Sequence, residues 1–296
     1  MAAFVPPALR SSPPSPPSTS KASPNLTPDS SMAPAATNGI ITPPPEPSTT
    51  PISTVELCIA HYNEDLSWLS PFSANCSIYS KGKQPAETSI YARFKHLPNI
   101  GRETHTYLTH ITQNYDSLAH VTLFLQGNIH DINQGTPAHT DLTLAELVSA
   151  ALRLSPGAVL PVGVSATFSD FDGIQYKHDW IRRRGHALTR AKLTPRDFWS
   201  WMFAGTADEK VPMTEVRFVQ GACYAVTKEA VHRRPREWWG RLLRYFEELA
   251  ETNPEEGHYM ERMWYAIFAP DVAVVVQRRE GEGNGGRGGD RDGASE

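Results

Sequence analysis

Residues 55–65 read VELCIAHYNED, in which a mostly apolar run ends abruptly at Tyr-Asn-Glu-Asp. The run 55–61 is typical of a strand that is buried on both faces. A second apolar run, VTLFL at residues 121–125, ends in the same way at Gln126 and Gly127. Strands of this kind occur in parallel sheets that are covered by helices, so the two runs predict such a sheet.

Strands and helices alternate through the rest of this region. Further strands are predicted at residues 76–80, 218–226 and 272–276, and helices at 103–115, 235–251 and 255–268. A helix with Leu144, Leu147, Val148 and Ala151 on one face is predicted to end at Pro156-Gly157, another to begin at Pro195, and a short one to begin at Lys228. Residues 157–192 show a weaker pattern, which indicates a long surface insertion or a substrate loop. The alternation predicts an α/β fold with a mainly parallel sheet and helices on both faces, in a single domain.

The two ends of the chain lack apolar patterns. Residues 1–53 are rich in Pro, Ser, Thr and Ala, and residues 277–296 alternate Gly with Arg, Asp and Glu. Such segments cannot bury enough apolar surface to offset the chain entropy lost on ordering, so we expect both tails to be disordered. The folded domain is then residues 54–276, and the N-terminal tail is a candidate site for protein partners.

The composition of the chain disfavours several classes of function. The formal net charge is −4, which provides no broad basic surface and makes nucleic acid an unfavourable partner. No transmembrane segment and no apolar secretory signal is present, so a cytoplasmic location is the default expectation.

The three cysteines have no CxxC spacing and are predicted to be reduced core residues. Walker, GxGxxG and HExxH motifs are absent.

Polar residues follow the predicted strands at the positions where α/β sheets place their ligands. Asn63, Glu64 and Asp65 follow the first strand, Lys81 follows the strand at 76–80, and Gln126 and Gly127 follow the strand at 121–125. Because the carboxyl ends of parallel strands meet at one edge of a sheet, these residues are candidate substrate- or nucleotide-binding groups.

The turn LPNIGRE at residues 97–103 leads directly into a predicted helix. Backbone N–H groups, the helix dipole and the guanidinium of Arg102 favour an anion there, which makes Asn99, Gly101 and Arg102 candidate diphosphate-binding residues. The alternative is that Asn99 and Glu103 only cap the helix while Arg102 is solvated.

Two further turns contain candidate residues. Asp131, at the end of QGNIHD (126–131), could hold a divalent metal together with His130, although an ordinary strand-ending turn accounts for the same residues. The small residues around Gly221 in GACYAV (221–226) leave room above the sheet for a sugar-like ligand, and a bulge or tight helix packing would need them equally.

Glu261 lies three residues after His258 on the last long helix and close to its apolar stripe. A carboxylate next to apolar groups has a raised pKa and can act as a general base, which makes Glu261 the candidate catalytic residue. The alternative is a buried partner for Arg262 or another arginine.

The segments HYNEDLSWL (61–69), YSKG (79–82), LPNIGRETHTYLTHI (97–111), YDSLAHVTLFLQG (115–127), GACYAVTKEAV (221–231) and ERMWYAIF (261–268) occur in this order. Together they resemble the domain of unknown function 3431, a family common in fungi. The resemblance covers most of residues 54–276 and implies no established activity.

The layout is more distantly similar to nucleotide-diphospho-sugar transferases of the GT-A type, a Rossmann-like fold. That similarity implies that Asn63 and Asp65 contact the nucleoside, that Arg102 contacts the phosphates and that Asp131 binds Mn²⁺ or Mg²⁺. It also implies that Glu261 takes the proton of the acceptor. Where the type has a DxD motif, this sequence has Gln126-Gly127.

The sequence therefore favours a nucleotide-sugar-dependent glycosyltransferase-like domain. A non-catalytic module that binds a nucleotide or a sugar remains open as an alternative, and so does a scaffold protein that acts through its tail.

Removal of residues 1–53 and 277–296 is expected to leave stability nearly unchanged, because neither segment has an apolar pattern that could join the core. Limited proteolysis should leave a resistant fragment of roughly 220 residues. Digestion of the whole chain to small peptides would contradict the predicted domain bounds.

Overall fold

Strand β1 lies at the centre of the fold. The computed structural model describes residues 54–130, 139–172, 188–210 and 215–275. In β1, Val55–His61, nearly every side chain is buried, and successive side chains point to opposite faces of the sheet. Leu57 and Ile59 pack into one apolar cluster and Cys58 into another. Because both faces of this strand pack against other parts of the protein, its sequence is mostly apolar and does not alternate between apolar and polar residues.

A six-stranded sheet surrounds β1 in the order β3-β2-β1-β4-β8-β5. Strands β1 to β4 pair in parallel, whereas β8 is antiparallel to both of its neighbours. The prediction of an α/β fold with a mostly parallel sheet is confirmed. The strands of this sheet are β1 (Val55–His61), β2 (Cys76–Ser80), β3 (Arg93–His96), β4 (Val121–Gln126), β5 (Val159–Val162) and β8 (Cys223–Thr227).

Apolar clusters cover both faces of this sheet. One contains residues of α1, α3, α5 and α6, and the other contains residues of α2 and of the 3-10 segment Ser67–Asn75. None of the described helices is long and apolar enough to span a bilayer. The α-helices are α1 (Arg102–Asn114), α2 (Leu144–Ala151), α3 (Pro195–Met202), α4 (Lys228–His232), α5 (Arg236–Leu249), α6 (Glu255–Phe268) and α7 (Pro270–Ala273).

A second, antiparallel sheet in the order β6-β7-β9 corrects one prediction. Its strands are β6 (Ser165–Phe168), β7 (Glu215–Val219) and β9 (Val274–Val275). The predicted single strand at 218–226 is therefore wrong, because β7 and β8 belong to different sheets. Gly221 and Ala222 separate them with φ angles of +85° and +53°, and this left-handed backbone cannot continue a strand.

Two other predictions are corrected. Residues 157–192 are not wholly an insertion, because β5 and β6 lie within them, while residues 173–187 lie outside the described part. The predicted last strand at 272–276 begins instead as α7, and only Val274–Val275 pair as β9. The predicted tails lie outside the described residues. All three cysteines are buried free thiols, as predicted.

Replacing Gly221 with Ala should destabilise the fold more than replacing Gly205 with Ala. Both glycines have left-handed φ angles, but a Cβ at Gly221 would lie 1.7 Å from Cδ2 of His139, whereas one at Gly205 would meet nothing within 4 Å. The left-handed backbone costs each variant about 1–2 kcal/mol, and the contact with His139 should add about 1–3 kcal/mol at Gly221. Urea denaturation measures both, and equal losses would show that His139 yields without cost.

Candidate functional site

The carboxyl ends of β1, β2 and β4 meet at one edge of the large sheet. The chain order changes direction between β1 and β4, and the crevice at such a switch point is where open α/β sheets bind ligands. His61 at the end of β1 is buried, and its Nδ1 lies 2.9 Å from Oγ of Ser80 at the end of β2. This hydrogen bond links the ends of β1 and β2.

The polar residues that follow β1 make local hydrogen bonds. Oε2 of Glu64 accepts from the N–H groups of Tyr62 at 2.7 Å and of Asn63 at 3.1 Å. Oδ1 of Asn63 accepts from the N–H of Lys83 at 2.8 Å. Asp65 accepts from the N–H and the hydroxyl of Ser67 at 3.0 and 2.6 Å. These side chains shape the loop, and their role towards a nucleoside stays a prediction.

Gly127 is required by its neighbours after β4. A Cβ at this position would lie 2.5 Å from Oε2 of Glu64, so the glycine lets the loop after β1 pack against β4. The carbonyl of Gly127 accepts from Nε1 of Trp68 at 2.9 Å. Nε2 of Gln126 donates to the carbonyl of Gly221 at 2.7 Å, which links β4 to the turn between β7 and β8.

Lys81 supports the turn that precedes α1. Its ammonium group donates to the carbonyl of Ile100 at 2.6 Å and also to the carbonyl of Arg102. Burial lowers the pKa of this amine to about 7, against the charge of Glu103, which raises it, and together with the charge of Arg102, which lowers it. The lysine therefore reaches from the end of β2 to the backbone of the predicted anion-binding turn.

The backbone of the turn at residues 97–103 differs from that expected if Asn99 and Glu103 capped the helix. Gly101 and Arg102 have φ angles of +61° and +52°, and the second is strained for a residue with a side chain. The N–H of Gly101 donates to the carbonyl of Glu251 at 2.8 Å, and Thr252 donates to the carbonyl of Asn99 at 2.9 Å. In this described segment no side chain caps the start of α1. The alternative, in which Asn99 and Glu103 cap the helix, is wrong.

Arg102 is not simply solvated either. A Cβ at Gly257 would lie 3.4 Å from Cδ of Arg102, so the arginine stem packs against the first turn of α6. Its Nη1 lies 2.8 Å from Nε2 of His258 and 3.4 Å from Oδ1 of Asn253. About a third of the side chain, 32%, is exposed. Its Nε also lies 3.4 Å from Oε2 of Glu103, so the guanidinium has several contacts within the fold and is partly exposed.

Glu261 lies at the other end of the same group of contacts. Its Oε1 accepts from the N–H of Gly221 at 2.8 Å, and its Oε2 lies 3.9 Å from Nδ1 of His258 and 3.8 Å from Nη1 of Arg262. Burial alone would raise the pKa of this carboxyl. The nearby imidazole of His258, the two nearby arginines and the N–H of Gly221 outweigh that effect and lower the pKa to about 2.

The structure therefore joins several of the predicted site residues in one chain of contacts. In order, the chain is Gln126, Gly221, Glu261, His258, Arg102 and Lys81. Asp131, the predicted metal ligand, lies outside the described residues. Within the described ranges, His, Cys, Asp and Glu side chains form no group of three that could hold a metal. Metal binding at Asp131 stays a prediction.

Two histidines of this site were not among the predicted site residues. His258 was recognisable from the sequence, because a spacing of three residues places it on the same face of α6 as Glu261. His139 has its ring directly against Gly221. Nothing in the sequence near His139 indicates this position, since it precedes α2 and reaches the site only through the packing of distant segments.

Comparisons with known proteins give a family match. The model of a family described as "Protein of unknown function (DUF3431)" matches residues 57–281. No curated protein and no solved structure matches the chain.

Replacing Glu261 with Gln should lower stability at neutral pH but not in acid. A carboxyl whose pKa is lower in the folded state stabilises the fold above its unfolded pKa of 4.5, and this contribution is lost as the pH falls towards 2. The loss at neutral pH should be on the order of 3 kcal/mol. Denaturation at several pH values measures it. The exposed Glu248, replaced in the same way, should change stability by less than about 0.5 kcal/mol. A difference from wild type that is independent of pH would contradict the low pKa.

Proposed function

The chain belongs to the DUF3431 family of proteins of unknown function, and from the geometry of its site we propose that the domain binds a nucleotide sugar in the manner of a glycosyltransferase. The diphosphate would lie at the carboxyl edge of the large sheet, next to Arg102. The likeness to the GT-A type is part of this proposal.

The placement of Arg102 supports the proposal most strongly. Arg102 lies at the start of α1, its backbone carbonyl accepts from Lys81 at the end of β2, and its side chain is partly exposed. A planar fork of N–H donors suits phosphate oxygens, and the positive end of a helix dipole adds to the attraction. The strand order β3-β2-β1-β4 also matches the half of a doubly wound sheet that binds mononucleotides.

Glycosyl transfer would break the bond between the anomeric carbon and the diphosphate and form a bond from that carbon to the acceptor oxygen. The acceptor proton must pass to a base, and the residue proposed from the sequence is Glu261. Mn²⁺ or Mg²⁺ held by Asp131 would offset charge on the diphosphate. Asp131 lies outside the described residues, which by themselves offer no group of three metal ligands.

A second candidate function is non-catalytic binding of the same class of ligand. One observation favours it, which is that the pKa of Glu261 is lowered to about 2. A carboxylate that holds its proton so weakly is a poor general base near neutral pH. Release of diphosphate from a nucleotide sugar, measured with and without Mn²⁺, separates the two candidates, because only the enzyme would show turnover.

Replacing Arg102 with Ala should weaken binding of nucleoside diphosphates by roughly 1.5–3 kcal/mol, the range for a hydrogen bond to a charged group. A thermal-shift screen of UDP, GDP and ADP and of their sugar conjugates identifies the base, and calorimetry then measures the affinities.

Arg236→Ala is the matched control. Arg236 pairs with Asp116, beyond the far end of α1, so its loss removes the same charge from another place. It should leave affinity nearly unchanged. Equal losses in both variants would indicate a general effect of net charge, and no binding by wild type would refute the proposal.

A further inference from the structure

We propose that Lys81 is a positioning residue, which holds the left-handed turn at Gly101 and Arg102 by donating to the carbonyl groups on both sides of it. Through this contact the protonation of Lys81 becomes linked to the binding of an anion beside Arg102. The inference deepens the proposed function and rests on it for the identity of the anion.

Lys81 is anchored in the sheet and extends to the turn. Its N–H donates to the carbonyl of His61 at 2.9 Å, which fixes the lysine backbone beside the end of β1. Its ammonium group donates to the carbonyl of Ile100 at 2.6 Å and to the carbonyl of Arg102. These carbonyls belong to the peptide groups before Gly101 and after Arg102, so one ammonium group holds both ends of the left-handed segment.

The loop before α6 and the first turn of α1 hold the rest of this segment. The N–H of Gly101 donates to the carbonyl of Glu251 at 2.8 Å, and the carbonyl of Gly101 accepts from the N–H of His105 at 3.1 Å. The φ angle of Arg102 is +52°, and a strained conformation of this kind persists only where several contacts determine it. Lys81 donates to two of the three carbonyl groups in the segment, so its loss should let the backbone relax.

The backbone of Arg102 determines where its side chain begins. The guanidinium has contacts of its own, since its Nε lies 3.4 Å from Oε2 of Glu103 and its Nη1 lies 3.4 Å from Oδ1 of Asn253. Those contacts are made from a Cα–Cβ bond whose direction follows from the backbone angles of the residue. Lys81 thus acts on the backbone end of the side chain, and a relaxed backbone would displace the guanidinium from its place at the start of α1.

The charges around the amine connect it to the anion site. Burial lowers the pKa of Lys81 to about 7, while the charge of Glu103 raises it and the charge of Arg102 lowers it. His105, from the same helix, has a pKa that burial and then the charge of Lys81 lower to about 4, so it is neutral near pH 7. The nearby side chains from β1 and from the loop before α6 bond to other groups, His61 to Ser80 and Glu251 to Thr189.

An anion beside Arg102 changes this balance. It offsets the charge of Arg102 and so removes one cause of the lowered pKa, which makes Lys81 bind its proton more tightly. Because linkage is reciprocal, the anion binds more weakly as the pH rises through about 7 and Lys81 loses its proton. The neutral amine keeps two N–H donors, but bonds from a charged donor are stronger, so the turn is also held less firmly.

The first test follows the ionisation of Lys81 by NMR of its side chain in the full-length chain, with the signal assigned by its loss in Lys81→Arg. Without ligand the midpoint should lie near pH 7. Saturating inorganic pyrophosphate should raise the proton affinity of Lys81 at least about threefold and leave that of Lys228 unchanged. Bound pyrophosphate that leaves the midpoint in place would overturn the proposal, and so would a midpoint near the ordinary lysine value of 10.5 in the free protein.

Calorimetry with inorganic pyrophosphate measures the effect on binding. Lys81→Met has an apolar stem of similar length without an N–H donor, and it should weaken affinity at about pH 6 by at least about tenfold. Lys81→Arg keeps a charged donor and should restore most of this loss. From about pH 6 to about pH 8.5 the affinity of wild type should fall at least about threefold relative to that of Lys81→Arg. The ionisation of pyrophosphate cancels from this ratio, and a constant ratio would overturn the proposal.

Lys228→Met is the matched control. Lys228 donates to the carbonyl of Asp116 at 2.8 Å, beyond the far end of α1, so its loss removes the same charge and the same kind of bond from another place. Affinity should change by less than about twofold, because a distant exposed charge is screened by salt, and the wild-type pH dependence should remain. A loss as large as that of Lys81→Met would overturn the specific role of Lys81.

A measurement without ligand tests the turn itself. A positive φ brings the amide proton of Arg102 close to its own Hα, which gives a strong nuclear Overhauser effect in wild type. Lys81→Met should weaken this signal and Lys228→Met should not. If wild type binds neither pyrophosphate nor any nucleotide but the signal weakens in Lys81→Met, the proposed function fails while the positioning role stands. If pyrophosphate binds and the signal is unchanged, the positioning role fails instead. Should Lys81→Met fail to fold, the titration of wild type decides.

Discussion

The carboxylate of Glu261 is the point on which the site depends. An ionised carboxylate that is largely withdrawn from water is unfavourable unless it is paired and hydrogen-bonded, and here the N–H of Gly221, the ring of His258 and the guanidinium of Arg262 lie around it. These partners come from a turn between the two sheets and from helix α6. The carboxylate therefore links this turn to helix α6, next to the histidine that contacts Arg102.

Segments that are far apart in the sequence form the edge of the sheet near this carboxylate. Lys81, from the end of β2, holds the carbonyls of a turn in which Gly101 and Arg102 both have left-handed backbones. The loop before α6 holds the same turn from the other side through the carbonyl of Glu251. A strained conformation persists only where surrounding contacts determine it, and such positions cluster at ligand-binding sites. This supports an anion-binding role for the turn.

The same contacts favour binding over proton transfer as the task of Glu261. Hydrogen bonds and nearby cations lower its pKa to about 2, so it stays ionised and accepts a proton poorly. The polar residues after β1 likewise serve the loop they belong to, since Glu64 and Asp65 both bond to backbone N–H groups nearby.

The sequence by itself determined the fold class, the central strand at 55–61 and the helix at 255–268. It also placed Arg102 at the start of a helix. These features could be predicted because apolar periodicity and turn residues act over short distances along the chain. It did not determine that the chain between Val219 and Cys223 passes from one sheet to another, or that His139 packs on Gly221. Only tertiary structure decided these, since the pairing of strands and the burial of charges depend on residues that are far apart in the chain. For the same reason, the sequence predicted a raised pKa for Glu261, from its position beside an apolar stripe. The lowered pKa follows from the groups that surround the carboxylate in the folded protein.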